Sequence, residues 1–552
     1  MQFDDKPIEL MGALALWASL LVLFLVMTFI GSLLISTFLY GIKGPGYVFR
    51  GIFGGVVELF SLSPRRLWAI TMLTFKEAIR RKALLVFVVF AVLFMFAGWF
   101  LTGSETLKGA ETKVYISFAL RTMTWLLMPV MLLLSCWGIP EDIRLRSLHT
   151  VVTKPVRRME VVLGRMFGFS LIGTLILGVM GLVGYVWIVR QVPADYQDQL
   201  VCRKPLDGKL EFLDRLGMSG TTGINVGDMS TFRSYIEGAT KSRAIWTFEQ
   251  VTPAILHSNK CFRLESRFQA FRTLKGDMNR SVYFQYTFKN PDDPSIAVPL
   301  SLIQVNENRV NDNYVSINPI QLVGEDGKPL SSATGQSAAS QRNFFKDVVS
   351  KDGKVLVEVA CVDPGMYLGV ARVDLFFRRP DGAFWIGYVK SLLGVESMLL
   401  LIVILGVTAS TFVKGPVATF FTFCVILVGM FGQQFMDEII KAPEAGGFAG
   451  GGVFESIYRM IMHLNPSTEL PAGPAFYLMQ LVDWLLKLML WSVRYYIPNG
   501  EYFNRMPEYL ANGFDVDWMR SLLPCLLVTV GFFIPCLFIG YYSLRLRELE
   551  SK

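Results

Sequence analysis

Long apolar runs separated by short charged loops constrain this sequence more than any other feature. Each run has roughly 17 to 30 residues and almost no charge. A helix rises about 1.5 Å per residue, so about 20 such residues cross the roughly 30 Å hydrocarbon core of a bilayer. The composition agrees, because 52% of the residues are hydrophobic and only 18% are charged. The sequence therefore predicts a membrane protein that crosses the bilayer several times.

The charges beside these runs predict their direction. Short loops that are rich in Lys and Arg stay on the cytoplasmic side. Lys43, Arg50 and Arg65 follow the first run, and Arg545 and Arg547 follow the last. We therefore predict a multi-pass protein of the cell (inner) membrane, with its N-terminus outside and its C-terminus in the cytoplasm. The seven predicted spans are residues 11–40, 83–101, 114–137, 167–189, 392–413, 417–433 and 522–542.

Two further helical segments are predicted to lie along the membrane surface. Residues 67–82 are amphipathic and precede a span, which is typical of a helix at the cytoplasmic interface. Residues 475–497 are apolar enough to cross. However, Asp483, Lys487 and Arg494 fall on one side of that helix, so we expect it to lie in the outer interface.

Two charged residues lie inside predicted spans, and each has two interpretations. Arg121 can extend its long side chain to the outer interface, or it can face a substrate path. Glu396 can pair with Lys390 or reach water, or it can line a cavity. We favour the first interpretation for both residues, because charges near helix ends reach the interface at small cost.

The polar middle of the chain, residues 191–388, predicts a separate β domain. Apolar and polar residues alternate in 281–288, 354–360 and 370–377, and Pro- and Gly-containing turns separate these stretches. About two hundred residues of this kind predict an all-β sandwich that is jelly-roll-like. The number of spans before it places the domain outside the cytoplasm, and residues 331–340 form a flexible loop within it.

The domain contains Cys202, Cys261 and Cys361. One disulfide could form among these three in an oxidising space. The other interpretation, which we favour, is that they are buried free thiols.

A basic segment, residues 138–168, joins the third and fourth predicted spans. It contains Asp142, then Ser147-Leu148, then a stretch ending at Pro155, then Arg158, then Leu163-Gly164-Arg165 with Gly168. This pattern resembles the loop between the second and third membrane helices of type-2 ABC transporter permeases, although Arg146 stands where that family has a glycine. The resemblance covers about residues 65–190 and, more weakly, residues from 389 onward.

The resemblance implies a domain organisation. Residues 1–64 would be an extra N-terminal helix and a cytoplasmic linker. Residues 65–190 would form the first half of the permease membrane domain, with a coupling loop at 138–165. Residues 191–388 would be an inserted extracytoplasmic domain, and residues 389–552 would form the second half.

The resemblance also implies partners and a docking site. A cytoplasmic ABC ATPase would dock on the loop, two permease chains would form a homodimer or heterodimer, and membrane lipid would surround them. The basic residues could pair with acidic residues of the ATPase or touch lipid phosphates. The residues assigned to docking are Glu141, Asp142, Arg144, Arg146, Ser147, His149, Lys154, Pro155, Arg157 and Arg158.

The motifs of several enzyme classes are missing from the sequence. It contains no GxxxxGK[ST] nucleotide loop, no HExxH and no GxSxG. We therefore expect a transport subunit without an ATPase site, with ATP and Mg bound by the partner and no catalytic, cofactor or metal residues in this chain. The formal charge of +8 does not indicate nucleic-acid binding, because the basic residues gather in loops beside the spans.

The competing hypothesis is a membrane anchor that transports nothing. Its β domain would bind a carbohydrate or an envelope protein outside the cell, as many β sandwiches do. Against it, an anchor needs neither seven spans nor the basic segment. Co-purification of a P-loop ATPase would favour the permease.

Overall fold

The computed structural model describes residues 9–41, 44–80, 85–101, 110–144, 157–192, 200–220, 222–226, 233–257, 260–272, 281–306, 310–324, 328–329, 342–441, 452–465, 470 and 473–550. The chain divides into two compact units. One is a β unit that contains Val201–Phe384 and Gly513–Asp515, and the other is helical.

The helical unit consists of long, mostly apolar helices. They are α1 (Leu10–Tyr40), α2 (Gly44–Phe60), α3 (Pro64–Arg80), α4 (Val86–Leu101), α5 (Ala110–Arg144), α6 (Arg158–Gln191), α7 (Phe384–Phe412), α8 (Gly415–Leu427), α9 (Gln433–Lys441), α10 (Val453–Ile461), α11 (Pro474–Tyr496), α12 (Glu501–Ala511) and α13 (Leu523–Glu550). Wide π-type turns at Val428–Gly432 and Trp518–Leu522 lead into α9 and α13.

Seven of the described helical segments are long and apolar enough to cross a membrane. Six of them coincide with predicted spans. The length and composition of these helices therefore confirm the expectation of a membrane-embedded protein. The predicted span 83–101 is the shorter helix α4, with 16 residues. The seventh segment of sufficient length is α11, which we had predicted to lie on the surface.

Two of the three polar residues of α11 that suggested an interfacial helix have partners on neighbouring helices. Asp483 accepts hydrogen bonds from the main-chain N–H groups of Phe454 (2.7 Å) and Glu455 (3.1 Å) at the start of α10. Arg494 pairs with Asp437 of α9, with 2.9 Å between Nε and Oδ1. Two of the three residues that indicated an interfacial helix are therefore bonded to neighbouring helices, which a helical wheel cannot reveal.

The β unit consists of antiparallel sheets. Its strands are β1 (Val201–Asp207), β2 (Lys209–Leu213), β3 (Ser219–Gly220), β4 (Ser234–Glu237), β5 (Arg243–Phe248), β6 (Cys261–Ser266), β7 (Gln269–Arg272), β8 (Tyr283–Lys289), β9 (Ala297–Pro299), β10 (Ile303–Gln304), β11 (Asn311–Ile317), β12 (Ile320–Val323), β13 (Val355–Cys361), β14 (Met366–Val370) and β15 (Leu375–Ala383).

Two large sheets share one aromatic core. Their strand orders are β1-β15-β6-β11-β12 and β10-β8-β13-β5-β2-β3, and β9 pairs with β8. Buried and partly exposed residues alternate along β5, β8 and β13, as the sequence predicted for a half-buried strand. Rings from the two sheets meet at Phe248 and Phe377 (4.6 Å between centroids) and at Phe262 and Phe288 (5.9 Å). The predicted β-sheet region is therefore confirmed, with two sheets packed face to face.

A third, small sheet has the order β4-β14-β7. It overlaps the predicted strand 370–377, which was wrong as a single strand. β14 ends at Val370 and β15 begins at Leu375, with a 3₁₀ turn at Arg372–Asp374 between them. The carboxylate of Asp374 accepts from the main-chain N–H of Ala371 (2.9 Å) and pairs with Arg233 (2.7 Å), which holds the chain in the turn.

A short return segment of the chain completes the β unit. The main-chain N–H of Arg203 donates to Gly513 (2.8 Å), and that of Asp515 donates to Arg203 (2.9 Å). The Arg203 guanidinium also lies 4.6 Å from the centroid of the Phe514 ring. Alternation cannot predict so short a segment.

The predicted loop 331–340 lies outside the described residues.

The three cysteines of the β unit are buried and free, which confirms the interpretation that we favoured. Burial raises the pKa of the Cys361 thiol to about 11 and also raises the pKa of Cys261. Because the thiolate is the reactive form, both thiols should be inert near neutral pH.

Candidate functional site

Helix α3 lies against the first half of α6 because two glycines of α6 have no side chains. A Cβ atom at Gly164 would lie 2.5 Å from Ile70, and one at Gly168 would lie 2.4 Å from Thr74 and 2.8 Å from the Thr71 carbonyl oxygen. Gly164 and Gly168 are four residues apart, so they share one face of the helix. Closely spaced small residues allow helices to approach in this way.

Arg165, between these glycines, joins three helices. Its guanidinium pairs with Glu77 of α3 and with Asp142 of α5. The Arg165 side chain is 6% exposed, and the Glu77 and Asp142 side chains are 26% and 16% exposed. An Arg guanidinium is suited to this role because its planar fork can serve two carboxylates at once. The ends of α3, α5 and α6 are therefore fastened together beside residues 145–156.

A second charged cluster surrounds Glu160 in the first turn of α6. Its carboxylate is fully buried and accepts from the main-chain N–H groups of Arg157 (3.0 Å) and Ser63 (3.0 Å). It also pairs with Arg66 of α3 at 2.9 Å. A carboxylate at a helix N-terminus is stabilised both by the free N–H groups and by the helix dipole. Glu160 therefore fixes the start of α6 to the start of α3.

The remaining predicted residues of the described chain lie around these clusters. Arg158 pairs with Glu58 of α2 (3.8 Å), which connects the N-terminal segment to α6. Arg144 pairs with Glu141 on α5 (3.5 Å), and its side chain is 74% exposed. Five predicted docking residues lie outside the described residues, namely Arg146, Ser147, His149, Lys154 and Pro155.

The structure brings together only part of the predicted set. Asp142 and Arg157 belong to the two clusters, and Arg158 pairs with Glu58 of α2. Arg144 and Glu141 form an exposed pair. Sequence reasoning had not predicted that the charged residues which complete these contacts join helices. These are Glu58, Arg66, Glu77, Glu160 and Arg165. The available signal was the position of Arg165, next to Gly164 and three residues before Gly168, which places it beside the packing face of the helix.

The two charged residues inside predicted spans also have partners. Arg121 pairs with Glu508 of α12 (3.1 Å), and its side chain is 59% exposed. Glu396 accepts from the Thr174 hydroxyl (2.6 Å) rather than from Lys390, whose Nζ donates to the Val516 carbonyl (3.0 Å). The predicted pairing of Glu396 with Lys390 is therefore replaced by a contact between α6 and α7.

These clusters hold helices together. Among the described residues, no group of three His, Cys, Asp or Glu side chains could hold a metal ion. The ion pairs at the ends of the packed helices join α3 to α6 and α6 to α5. Comparison with protein-family models, with curated protein sequences and with solved structures finds no match to this chain.

Proposed function

We propose that this chain is the membrane-spanning permease subunit of an ATP-driven transporter of the type-2 ABC class, working with a separate cytoplasmic ATPase and a second permease chain. The observation that supports this most is the bridge from Arg165 to Glu77 and Asp142. It ties α3, α5 and α6 together at the point where residues 145–156 of the basic segment connect α5 to α6. An ATPase that pushes on this segment would move all three helices together.

The proposed mechanism is a mechanical coupling between two sites. ATP binding and hydrolysis in the partner would displace the segment, and α5 and α6 would tilt because they flank it directly. Helix α3 would follow α6, since the glycine contacts and Glu160 hold the two together. Such a coupling needs two discrete arrangements of the helices, each favoured by one nucleotide state.

We further infer an orientation and a class for the β unit. The basic residues beside the apolar helices favour an inside C-terminus and an outside β unit. The strand orders β1-β15-β6-β11 in one sheet and β5-β13-β8-β10 in the other support a jelly-roll class, because most successive strands of this set lie in different sheets. In that position the unit would guide cargo or contact an envelope partner.

Affinity purification tests the function. We expect the tagged full-length chain, isolated from cells that produce it, to bring down a protein with a P-loop ATPase site. Reversal of Arg144 and Arg146 to Glu should lower recovery of that protein by about tenfold, since charge reversal at a contact repels an acidic partner. The matched control is Arg190→Glu, an exposed residue at the other end of α6.

Two results would count against the function. If no ATPase is recovered with the chain, the membrane-anchor hypothesis gains. If the double reversal retains the ATPase as well as Arg190→Glu does, the basic segment is not the docking site.

Cysteine labelling tests the orientation. Leu216 is 71% exposed in the turn between β2 and β3, so Leu216→Cys should react with a membrane-impermeant maleimide in intact cells. The unsubstituted chain should not react, because burial protects Cys202, Cys261 and Cys361. Labelling of the variant only after lysis would place the β unit in the cytoplasm.

A further inference from the structure

Glu396 is an acidic residue inside a helix that is long and apolar enough to span the membrane. It shares a face of α7 with Leu392 and Tyr388, which are four and eight residues earlier. Tyr388 donates to the Gly181 carbonyl of α6 (2.9 Å), and a Cβ at Gly181 would lie 2.6 Å from Leu392. Glu396 therefore lies in the contact between α6 and α7, opposite Thr174, which is seven residues before Gly181 on the same face.

The two oxygens of the Glu396 carboxylate differ. Oε1 accepts from the Thr174 hydroxyl at 2.6 Å, whereas Oε2 is buried and has no hydrogen-bond partner among the described residues. A buried hydrogen-bond acceptor without a donor lowers the stability of the fold. A charged carboxylate within a membrane lowers it further. Intramembrane acidic residues are accordingly rare and are usually functional.

Helices α6, α7 and α13 supply no cation to this carboxylate. No Lys or Arg occurs between Arg165 and Arg190 of α6, between Lys390 and Lys414 along α7, or between Arg520 and Arg545 along α13. The nearest of these in sequence, Lys390, donates to the Val516 carbonyl. The charge of Glu396 therefore calls for a positive group from outside these helices.

Although Oε2 itself is buried, the pair lies beside an exposed face of α6. Thr174 is exposed, and Phe167, two turns earlier in α6, is 44% exposed. The centroid of the Phe167 ring lies 6.4 Å from that of Phe533 in α13. An apolar body could lie against Phe167 and Phe533 while its polar end reaches the carboxylate. Small-molecule sites commonly combine an apolar lining with one or two fixed polar groups.

We propose that Glu396 and Thr174 bind an amphipathic ligand whose polar end is a primary amine. A protonated amine donates a charge-assisted hydrogen bond to Oε2, and this bond is strong because the surroundings are apolar. The ligand would be either a transported substrate or an amine-bearing lipid. Its identity as substrate rests on the proposed transport function, but the binding site does not.

Photolabelling in nanodiscs of phosphatidylcholine tests the site. The probes are a diazirine-bearing dodecylamine and the alcohol of equal length, and labelled peptides are identified by mass spectrometry. We expect the amine to label the peptides around Thr174 and Glu396 at least about fivefold more than the alcohol, because only the amine carries a charge to the carboxylate. Glu396→Gln should abolish this preference, and Glu9→Gln, which removes an exposed carboxylate just before α1, should not.

A second variant guards against misfolding of Glu396→Gln. Glu396→Asp keeps a carboxylate on a side chain shorter by one CH₂ group, so part of the preference for the amine should return, which loss of charge explains and misfolding does not. Equal labelling by both probes, or an unchanged preference in Glu396→Gln, would overturn the proposal. Competition by added phosphatidylethanolamine would assign the site to lipid, and its absence would assign the site to a free substrate. Neither result depends on whether an ATPase co-purifies.

Discussion

Arg165→Met is expected to destabilise the helical unit by about 3 kcal/mol, because it removes the buried cation that the partly buried carboxylates of Glu77 and Asp142 share. The contacts that would be lost join α6 to α3 and to α5. Thermal unfolding in detergent or nanodiscs should show a midpoint lower by at least about 5 °C. Arg165→Lys should recover little of this loss, since a single ammonium lacks the fork that serves both partners.

The matched control for this substitution is Arg144→Met. The Arg144 side chain is 74% exposed and pairs with Glu141 at 3.5 Å, so its loss should cost less than about 1 kcal/mol. The triple variant Glu77→Gln, Asp142→Asn, Arg165→Met should regain stability, because no unpaired charge remains. An Arg165→Met variant as stable as Arg144→Met would show that the bridge does not hold the helices together.

Gly168→Ala and Gly178→Ala are expected to change stability in opposite directions. Both replace glycine by alanine in α6, which by itself favours a helix by about 0.5 to 1 kcal/mol. At Gly168 the new methyl group would collide with Thr74 and with the Thr71 carbonyl oxygen, whereas nothing lies within 4 Å of a Cβ at Gly178. Overpacking should therefore make Gly168→Ala less stable by about 1 to 3 kcal/mol.

The same pair of variants probes the proposed coupling. If α3 must stay packed on α6 to follow it, Gly168→Ala should also weaken ATP-driven activity of the assembled transporter. Gly178→Ala should leave that activity near the level of the unsubstituted protein. The measurements are the thermal midpoint and the ATPase rate of the complex. Equal midpoints for the two variants would contradict the close contact of α3 with α6.

The β unit shows how much local pattern predicts. Alternation located β8 and β13 to within a few residues, because a half-buried strand imposes its period on the sequence. It failed at 370–377, where the Asp374 carboxylate closes a turn through Ala371 and Arg233. Arg233 lies 141 residues earlier in the chain, so no local window contains that interaction.

The candidate site was predictable in position but not in composition. The basic segment indicated where α5 and α6 approach each other, but α5 runs on to Arg144 and α6 begins at Arg158, both inside the predicted loop 138–165. The residues that hold the helices together come from α2, α3, the end of α5 and the first turns of α6. In the sequence, Glu160 and Arg165 were visible only as part of a charged segment. Burial decides their role, and a residue is buried only once its neighbours have packed.

The sequence by itself determined the apolar helices, the β region between them and the basic segment, because hydrophobic period and run length are properties of consecutive residues. Only the tertiary structure decided which charges meet. Arg165 finds Asp142 23 residues away, and Glu396 finds Thr174 222 residues away. A charge in an apolar environment must be compensated by whatever group the packing of helices brings beside it, and that packing depends on the whole chain.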